Sequence, residues 1–133
     1  MSHGSTEREA SPSGLAQSVL REIAAHLAAL ADVGESAAID LRSLPMTAAD
    51  RGELESLLGR GEVTVKLDVA GTSELWETRY SGVWWVRHRG EGERIATERI
   101  EIAAIPEILV SHDADIAAAA ARIREEVDLH GRA

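Results

Sequence analysis

The residue types that most often carry chemistry are present in this chain, but their spacing does not assemble a metal site. None of the five histidines stands in a paired spacing such as H-x-x-x-H, which metal sites use. His112 with Asp113 and Asp115 could supply nitrogen and oxygen ligands, but the first turn of a helix also favours acidic residues, and we prefer that explanation. The chain has no cysteine, which excludes disulfides and thiolate ligands.

Serine catalysis and phosphate binding receive no support from the sequence either. None of Ser73, Ser81 and Ser111 stands in the strand–turn–helix context of a nucleophile elbow. The glycine pairs in GRGE and GEGE lack the Lys-Ser/Thr that follows a phosphate-binding loop, and we interpret them as turn glycines. We therefore expect no catalytic residue, no cofactor and no bound metal, and a protein that is not an enzyme.

The most unusual constellation combines tryptophan with arginine. The chain has three tryptophans, one tyrosine and no phenylalanine, and two of the tryptophans are adjacent in SGVWWVRH. Tryptophan and arginine on one surface are typical of interface hot spots. Pairing of the arginines with glutamates across the strands is the alternative, and the two interpretations are compatible. The arginines around this hairpin are Arg79, Arg87, Arg89 and Arg94.

Composition limits the classes of function. A chain of 133 residues is expected to form one domain. A formal net charge of -9 disfavours nucleic acid as a partner, because phosphate binding requires a basic field. The N-terminal residues MSHGSTEREASPSG are polar and lack the apolar core of a secretory signal, so we expect none. No apolar run in the sequence is long enough to span a membrane. We expect a cytoplasmic protein.

Three helices can be predicted from apolar periodicity and capping residues. Residues 1–13 have the composition of a disordered tail, and residues 14–130 are predicted to form the single domain. The first helix follows from Leu15 and ends at Gly34, and a second helix begins at Thr47 and ends at Leu58. The last helix is capped by Ser111 or Asp113 and reaches Leu129. Alanines 117–121 should let it lie close to the sheet.

Alternating apolar residues predict an antiparallel sheet. Residues 62–103 are predicted to form a four-stranded meander with a two-residue turn at Ser81-Gly82. Residues 37–42 are predicted to add a strand at one edge of this sheet. The fold class is α+β, a four- to five-stranded sheet with the N-terminal, middle and C-terminal helices packed mainly on one face. Because Arg87 and Arg89 share a face with Trp85, we place Trp84 on the covered face and Trp85 on the open one. The alternative is that different helices cover both tryptophans.

Four segments between Gly61 and Leu109 resemble a known family. They are GEVTVKL, the T-x-x-x-x-E-T spacing from Thr72 to Thr78, GVWWVRH and IEIAAIPEIL. This region is similar to that of the hydrogenase expression/formation proteins of the HupH/HyaF type, accessory products of uptake hydrogenase operons. The resemblance implies a role in the maturation of a nickel–iron hydrogenase, as an escort of its small, iron–sulfur-bearing subunit before export, without catalytic residues.

The resemblance also implies partners. They would be the hydrogenase small subunit precursor or another hydrogenase accessory protein, bound by the open face through Trp76, Trp85, Arg87 and Arg89. Two alternatives belong to other classes of function. One is a small-molecule- or metal-handling protein with a site between sheet and helices, for which His88, Glu98 and His112 are the candidate polar groups. The other is a self-associating structural module, a homodimer paired through the open face.

Overall fold

A computed structural model describes residues 11–68 and 71–131, which form three α-helices, three short 3₁₀ turns and one five-stranded antiparallel sheet. The helices are α1 (Leu15–Val33), α2 (Ala48–Leu58) and α3 (Asp113–Gly131). The strands are β1 (Ala37–Asp40), β2 (Thr64–Asp68), β3 (Thr72–Glu77), β4 (Val83–Arg89) and β5 (Ile95–Ile102). None of these helices is apolar enough over a sufficient length to cross a membrane. The predicted α+β class and strand number are confirmed.

The predicted tail, residues 1–13, lies outside the described residues except for its last three. The backbone nitrogen and the hydroxyl of Ser13 each donate to the carboxylate of Asp50 at 2.6 Å. The hydroxyl of Thr47 donates to the carbonyl of Ser11 at 2.9 Å. These three residues are therefore attached to the N-terminus of α2.

A capping box closes the N-terminus of α2, as the sequence predicted. The Asp50 backbone nitrogen donates to the Thr47 hydroxyl, and the Thr47 backbone nitrogen donates to the Asp50 carboxylate, both at 3.0 Å. Burial acts to raise the pKa of Asp50, but the hydrogen bonds from Ser13 and Thr47 outweigh it and lower the pKa from 3.8 to about 2. The carboxylate thus stays charged at the helix end whose dipole favours a negative charge.

Helix α1 occupies its predicted range because its apolar residues recur at every third or fourth position. Val19 and Ile23 are buried, and Leu27 and Leu30 pack partly buried against the same cluster. The helix ends at Gly34, where φ is 72°, a left-handed conformation that glycine adopts without steric cost. The apolar side of α1 therefore faces the sheet.

The strand order in the sheet is β1-β5-β4-β3-β2, and every neighbouring pair is antiparallel. The meander β2 to β5 and the added edge strand were both predicted from the sequence. The turn between β3 and β4 differs from the prediction. The Thr78 backbone nitrogen donates to the Val83 carbonyl at 2.9 Å, so the chain reverses over residues 79–82 rather than over Ser81-Gly82 alone.

Both faces of the sheet are buried at their centre. The face under α1 and α2, here called the helix-covered face, buries Ile39, Trp76, Val83, Trp85, Ile100 and Ile102. The opposite face buries Leu75, Trp84 and Val86. The segment after β5, residues 103–112, lies against the opposite face. It accepts a hydrogen bond from the Trp84 indole at the Ala103 carbonyl (3.2 Å) and donates one from the Glu107 nitrogen to Glu101 (2.7 Å).

Helix α3 does not pack on the sheet, and this part of the prediction is wrong. Each of its residues is exposed, including those of its apolar stripe, Ile116, Ile123 and Val127. Pro106 follows the end of the β5 ladder, as expected of a residue that cannot donate to it. The segment around it then occupies the opposite face, while α1 and α2 occupy the other. Among the described residues, the apolar centres of both faces are therefore already buried without α3.

Candidate functional site

Trp76 and Trp85, which the sequence suggested as partner-binding residues on an open face, lie inside the helix-covered face. Their side chains are 1% and 0% exposed, and their rings stack with centroids 5.6 Å apart and planes 7° apart. The predicted face assignment is therefore wrong, because Trp85 lies beneath the helices and Trp84 on the opposite face. Both tryptophans are covered, as the alternative held, although Trp84 packs with the segment 103–112 rather than under a helix.

A buried carboxylate explains why an arginine shares the helix-covered face with Trp85. Arg87 Nε and Trp85 Nε1 both donate to Glu98 Oε2, at 2.6 and 2.9 Å. From α2, Arg51 Nε lies 3.2 Å from Glu98 Oε1, an ion pair whose geometry falls short of a hydrogen bond. Glu98 is fully buried. Its charge offsets the cost of taking Arg87 out of water, so the arginine does not mark an open face.

The sequence contained a signal for this ion pair. In the β4–β5 hairpin Arg87 lies directly opposite Glu98. Glu98 also alternates in phase with Ile100 and Ile102, which face the core. An acidic residue in line with apolar ones, opposite an arginine, indicates a buried pair rather than an exposed one.

The arginines around the hairpin do not form one surface. Arg79 donates to the carbonyls of Ser56 and Leu57 at the C-terminal end of α2, and Arg89 donates to the carbonyl of Glu93. The side chain of Arg87 is only 13% exposed. Trp76 and Trp85 could reach a partner only if the core opened, whereas a partner-binding role of Arg87 and Arg89 stays a prediction.

The three polar groups suggested for a metal or small-molecule site are not brought together. Glu98 pairs with Arg87 and His88 pairs with Thr97, so Glu98 and His88 point to opposite faces of the sheet. His112 lies at the end of the segment that crosses the opposite face. Among residues 11–68 and 71–131, no group of three or more histidine or acidic side chains is arranged to hold a metal ion.

One serine–histidine contact lies on the opposite face. Ser73 Oγ is 2.7 Å from His88 Nδ1, beside a cavity of about 450 Å³. Serine catalysis needs a base that a third group orients. None of the residues that line this cavity is acidic; they are Leu67, Ser73, Val86, His88, Thr97, Arg99 and Ile108. With Ser73 only 7% exposed, the contact fits a structural hydrogen bond.

An apolar groove of about 520 Å³ runs beside α1. Ala24, Ala28 and Ala31 form part of its wall, and their small side chains leave room at the helix surface. Tyr80, from the turn between β3 and β4, contributes a half-exposed ring. The remaining lining residues are Leu20, Ile23, Leu27, Leu58 and Val83. This groove was not predicted from the sequence, although alanines at i, i+4 and i+7 beside an apolar stripe were a signal for it.

Comparisons with known proteins point to one family. A family model described as "HupH hydrogenase expression protein, C-terminal conserved region" matches residues 15–129. The hydrogenase expression/formation protein HoxQ of Azotobacter vinelandii is 31% identical over 88 residues, which are 66% of this chain and 31% of that protein. The hydrogenase-1 operon protein HyaF of Escherichia coli K12 is 38% identical over 76 residues, 56% of this chain and 26% of HyaF. The matched stretches are thus about a third of these relatives or less.

A solved structure agrees with the sequence comparisons. The hydrogenase expression protein HupH from Thiobacillus denitrificans ATCC 25259 superposes with a TM-score of 0.83 at 44% sequence identity. The superposition covers 89% of this chain and 98% of that one. The similarity therefore includes nearly all of the architecture described above.

Proposed function

Because the chain belongs to the family of HupH hydrogenase expression proteins, matched over their C-terminal conserved region, we propose that it is an accessory protein in the maturation of a nickel–iron uptake hydrogenase. Its client in this proposal is the precursor of the hydrogenase small subunit, which it escorts in the cytoplasm. The match over residues 15–129 is the observation that carries the proposal. Relatives whose names refer to hydrogenase expression, formation or operons support it.

We propose further that the protein acts by binding rather than by catalysis. The buried acidic side chains of the described residues are engaged in holding the fold. Asp50 accepts from Ser13 and Thr47, Glu98 accepts from Trp85 and Arg87, and Glu101 accepts from a backbone nitrogen. Groups held in this way are poorly placed to move protons to a substrate, which favours a surface-based function.

The apolar groove beside α1 is our candidate for the surface that contacts the client. Its volume is in the range of grooves that hold small ligands, and its lining is mostly aliphatic. An apolar stretch of the precursor would fit this chemistry. The net charge of -9 would attract a basic segment next to that stretch, and a chain without cysteine cannot compete for the iron of its client.

Retention of the precursor by the tagged chain tests the proposal. The chain would be recovered from a host that expresses the small subunit precursor, and we expect the precursor or another hydrogenase accessory protein to be retained. Ala28→Glu places a charge in the groove, and we expect it to reduce retention about tenfold, since a charge in an apolar contact costs more than about 1.4 kcal/mol. Ala25→Glu is the matched control, because Ala25 is exposed on the same helix and does not line the groove.

Two outcomes would contradict parts of the proposal separately. If neither the precursor nor an accessory protein is retained, the escort role is wrong. If both variants retain the precursor as well as the original chain does, the escort role stands and the groove is not the contact. Thermal unfolding of both variants would show that any loss of retention does not come from unfolding.

A further inference from the structure

Helix α3 carries an apolar line that nothing in the described structure covers. At about 100° per residue, Ile116, Ala120, Ile123 and Val127 fall within about 60° of one another around the helix axis. Their spacing alternates four and three residues, which is the spacing of the contact seam between two paired helices. Ile116, Ile123 and Val127 are 55%, 66% and 64% exposed.

The part of the same chain that the structure describes offers no face for this seam. On the helix-covered face α1 and α2 already bury Trp76 and Trp85, and on the opposite face Leu75, Trp84 and Val86 are buried beside the segment 103–112. A helix that returned to either face would meet elements that already cover it. The seam therefore has no occupant among residues 11–68 and 71–131.

We propose that α3 pairs with α3 of a second copy of this chain, antiparallel, with the twofold axis between Ala121 and Arg122. In this register Ile116 lies opposite Val127 of the second copy, and Ala120 lies opposite Ile123 of the second copy. Every alanine on the seam then faces an isoleucine, so the layers have similar volumes and leave no large gap.

Side-chain pairing at the two ends of α3 supports the same register. Asp113 and His130 lie on the line of the seam at the two ends of α3, and the twofold axis places each opposite the other residue of the second copy. Antiparallel helices also bring each acidic first turn next to the C-terminal end of the other dipole.

A parallel pair would lack both advantages. It would place Ala120 against Ala120 of the second copy between two layers of isoleucine, which leaves a gap in the seam. It would also bring the two Asp113 carboxylates together and separate each from His130. The antiparallel arrangement is therefore the one that this sequence favours.

The segment before α3 would extend the contact. Ile105, Ile108 and Val110 are 60%, 48% and 52% exposed, just before the start of the helix. Since residue 130 of the second copy lies opposite Asp113, the end of that helix comes close to this segment. Two short helices alone would form a small interface, and these residues would add apolar area to it.

Molar mass in solution tests the pairing. For the full chain, light scattering or sedimentation at increasing concentration should approach twice the chain mass of 14.3 kDa. Ile123→Asp should reduce the mass to that of one chain. Leu129→Asp is the matched control and should remain a dimer, because Leu129 is similarly exposed (70%) but lies on the other side of α3.

Three results would overturn the proposal. They are a wild-type chain that stays monomeric at all concentrations, an Ile123→Asp variant that still dimerises, and loss of the dimer in both variants. A monomeric wild type whose retention of the hydrogenase precursor is lost only in Ile123→Asp would assign the seam to the client instead. The test of the dimer is independent of the proposed function, since it uses the chain alone.

Disulfide trapping tests the register and does not depend on the aspartate variants folding. The chain has no cysteine, so Ala120→Cys and Ile123→Cys each carry a single thiol. Mixed and oxidised, the two variants should give mainly the 120–123 disulfide between copies, read by mass spectrometry of the linked peptides. If the main product is instead a disulfide between residues 120 of two Ala120→Cys copies, the helices pair in parallel and the proposed register is overturned.

Discussion

The two faces of the sheet bury the same kinds of residue in different ways. On the helix-covered face, Trp85 stacks on Trp76 beneath two helices. On the opposite face, Trp84 is almost as buried, but beside a segment with a single 3₁₀ turn, and its indole donates to a backbone carbonyl. Regular elements can cover a face by side-chain packing alone, whereas an irregular segment has backbone groups that need polar partners.

The two buried glutamates show the same difference. Glu98, on the helix-covered face, is surrounded by the side chains of Trp85, Arg87 and Arg51, which neutralise and hold its charge. Glu101, on the opposite face, accepts from Arg99 and from the backbone nitrogen of Glu107, and so anchors the covering segment. Position within the core thus gives two identical side chains different structural roles.

The largest expected effect separates the two tryptophans. Trp85→Ala should lower the free energy of unfolding by about 4–5 kcal/mol, because it leaves a cavity under two helices and removes a donor to Glu98. Trp84→Ala should cost about 3 kcal/mol, because the irregular segment can relax into the space. Urea denaturation measures both changes. Equal losses, or a larger loss for Trp84→Ala, would show that the two faces do not differ in the proposed way.

An intermediate effect separates the two glutamates. Glu98→Gln should lower the free energy of unfolding by about 3 kcal/mol, because Arg87 and Arg51 would lose their buried counter-charge. Glu101→Gln should cost only about 1 kcal/mol, because the amide oxygen can still accept from the Glu107 nitrogen. The same denaturation experiment compares them. If Glu101→Gln lowered the free energy of unfolding as much as Glu98→Gln does, the charge of Glu101 on the opposite face would be as important for stability as that of Glu98.

The smallest effect concerns Asp50, which anchors the helix that brings Arg51 to Glu98. Its pKa of about 2 in the folded chain lies below the usual 3.8, so its stabilising effect is complete above pH 3.8 and is lost as the pH falls towards 2. Between pH 5 and pH 2 the wild type should therefore lose about 2 kcal/mol more stability than Asp50→Asn. Unfolding curves at both pH values measure this. Parallel losses would show that the hydrogen bonds from Ser13 and Thr47 do not favour the charged form.

Local signals predicted most of the secondary structure. The bounds of α1 follow from Leu15 and Gly34, those of α2 from the Thr47–Asp50 capping box, and β4 was predicted at its observed limits. These features depend on periodicity and on hydrogen bonds between residues three or four positions apart. Such interactions are specified by the neighbouring sequence, whatever the tertiary contacts are.

Residue types alone did not predict the candidate site. The arginines suggested an open face, yet the side chain of Arg87 is only 13% exposed, because Glu98, eleven positions away, faces it across the hairpin. The groove beside α1 also depends on residues distant in sequence, since Ala28 and Tyr80 line it together. The Arg87–Glu98 pair depends on how two strands pair, and the groove depends on how a helix packs against a turn. The alternation of residues along one strand does not specify either arrangement.

The sequence by itself determined the elements, their order, the sheet class and the family resemblance, because these depend on short-range patterns and on motifs. Only the tertiary structure decided which tryptophan lies under the helices and that α3 remains outside the core. The reason is that several segments compete for the same face of the sheet, and their contacts across the fold decide which of them covers it. Glu98 compensates the charge of Arg87, and the segment 103–112 lies on the opposite face while α3 stays exposed.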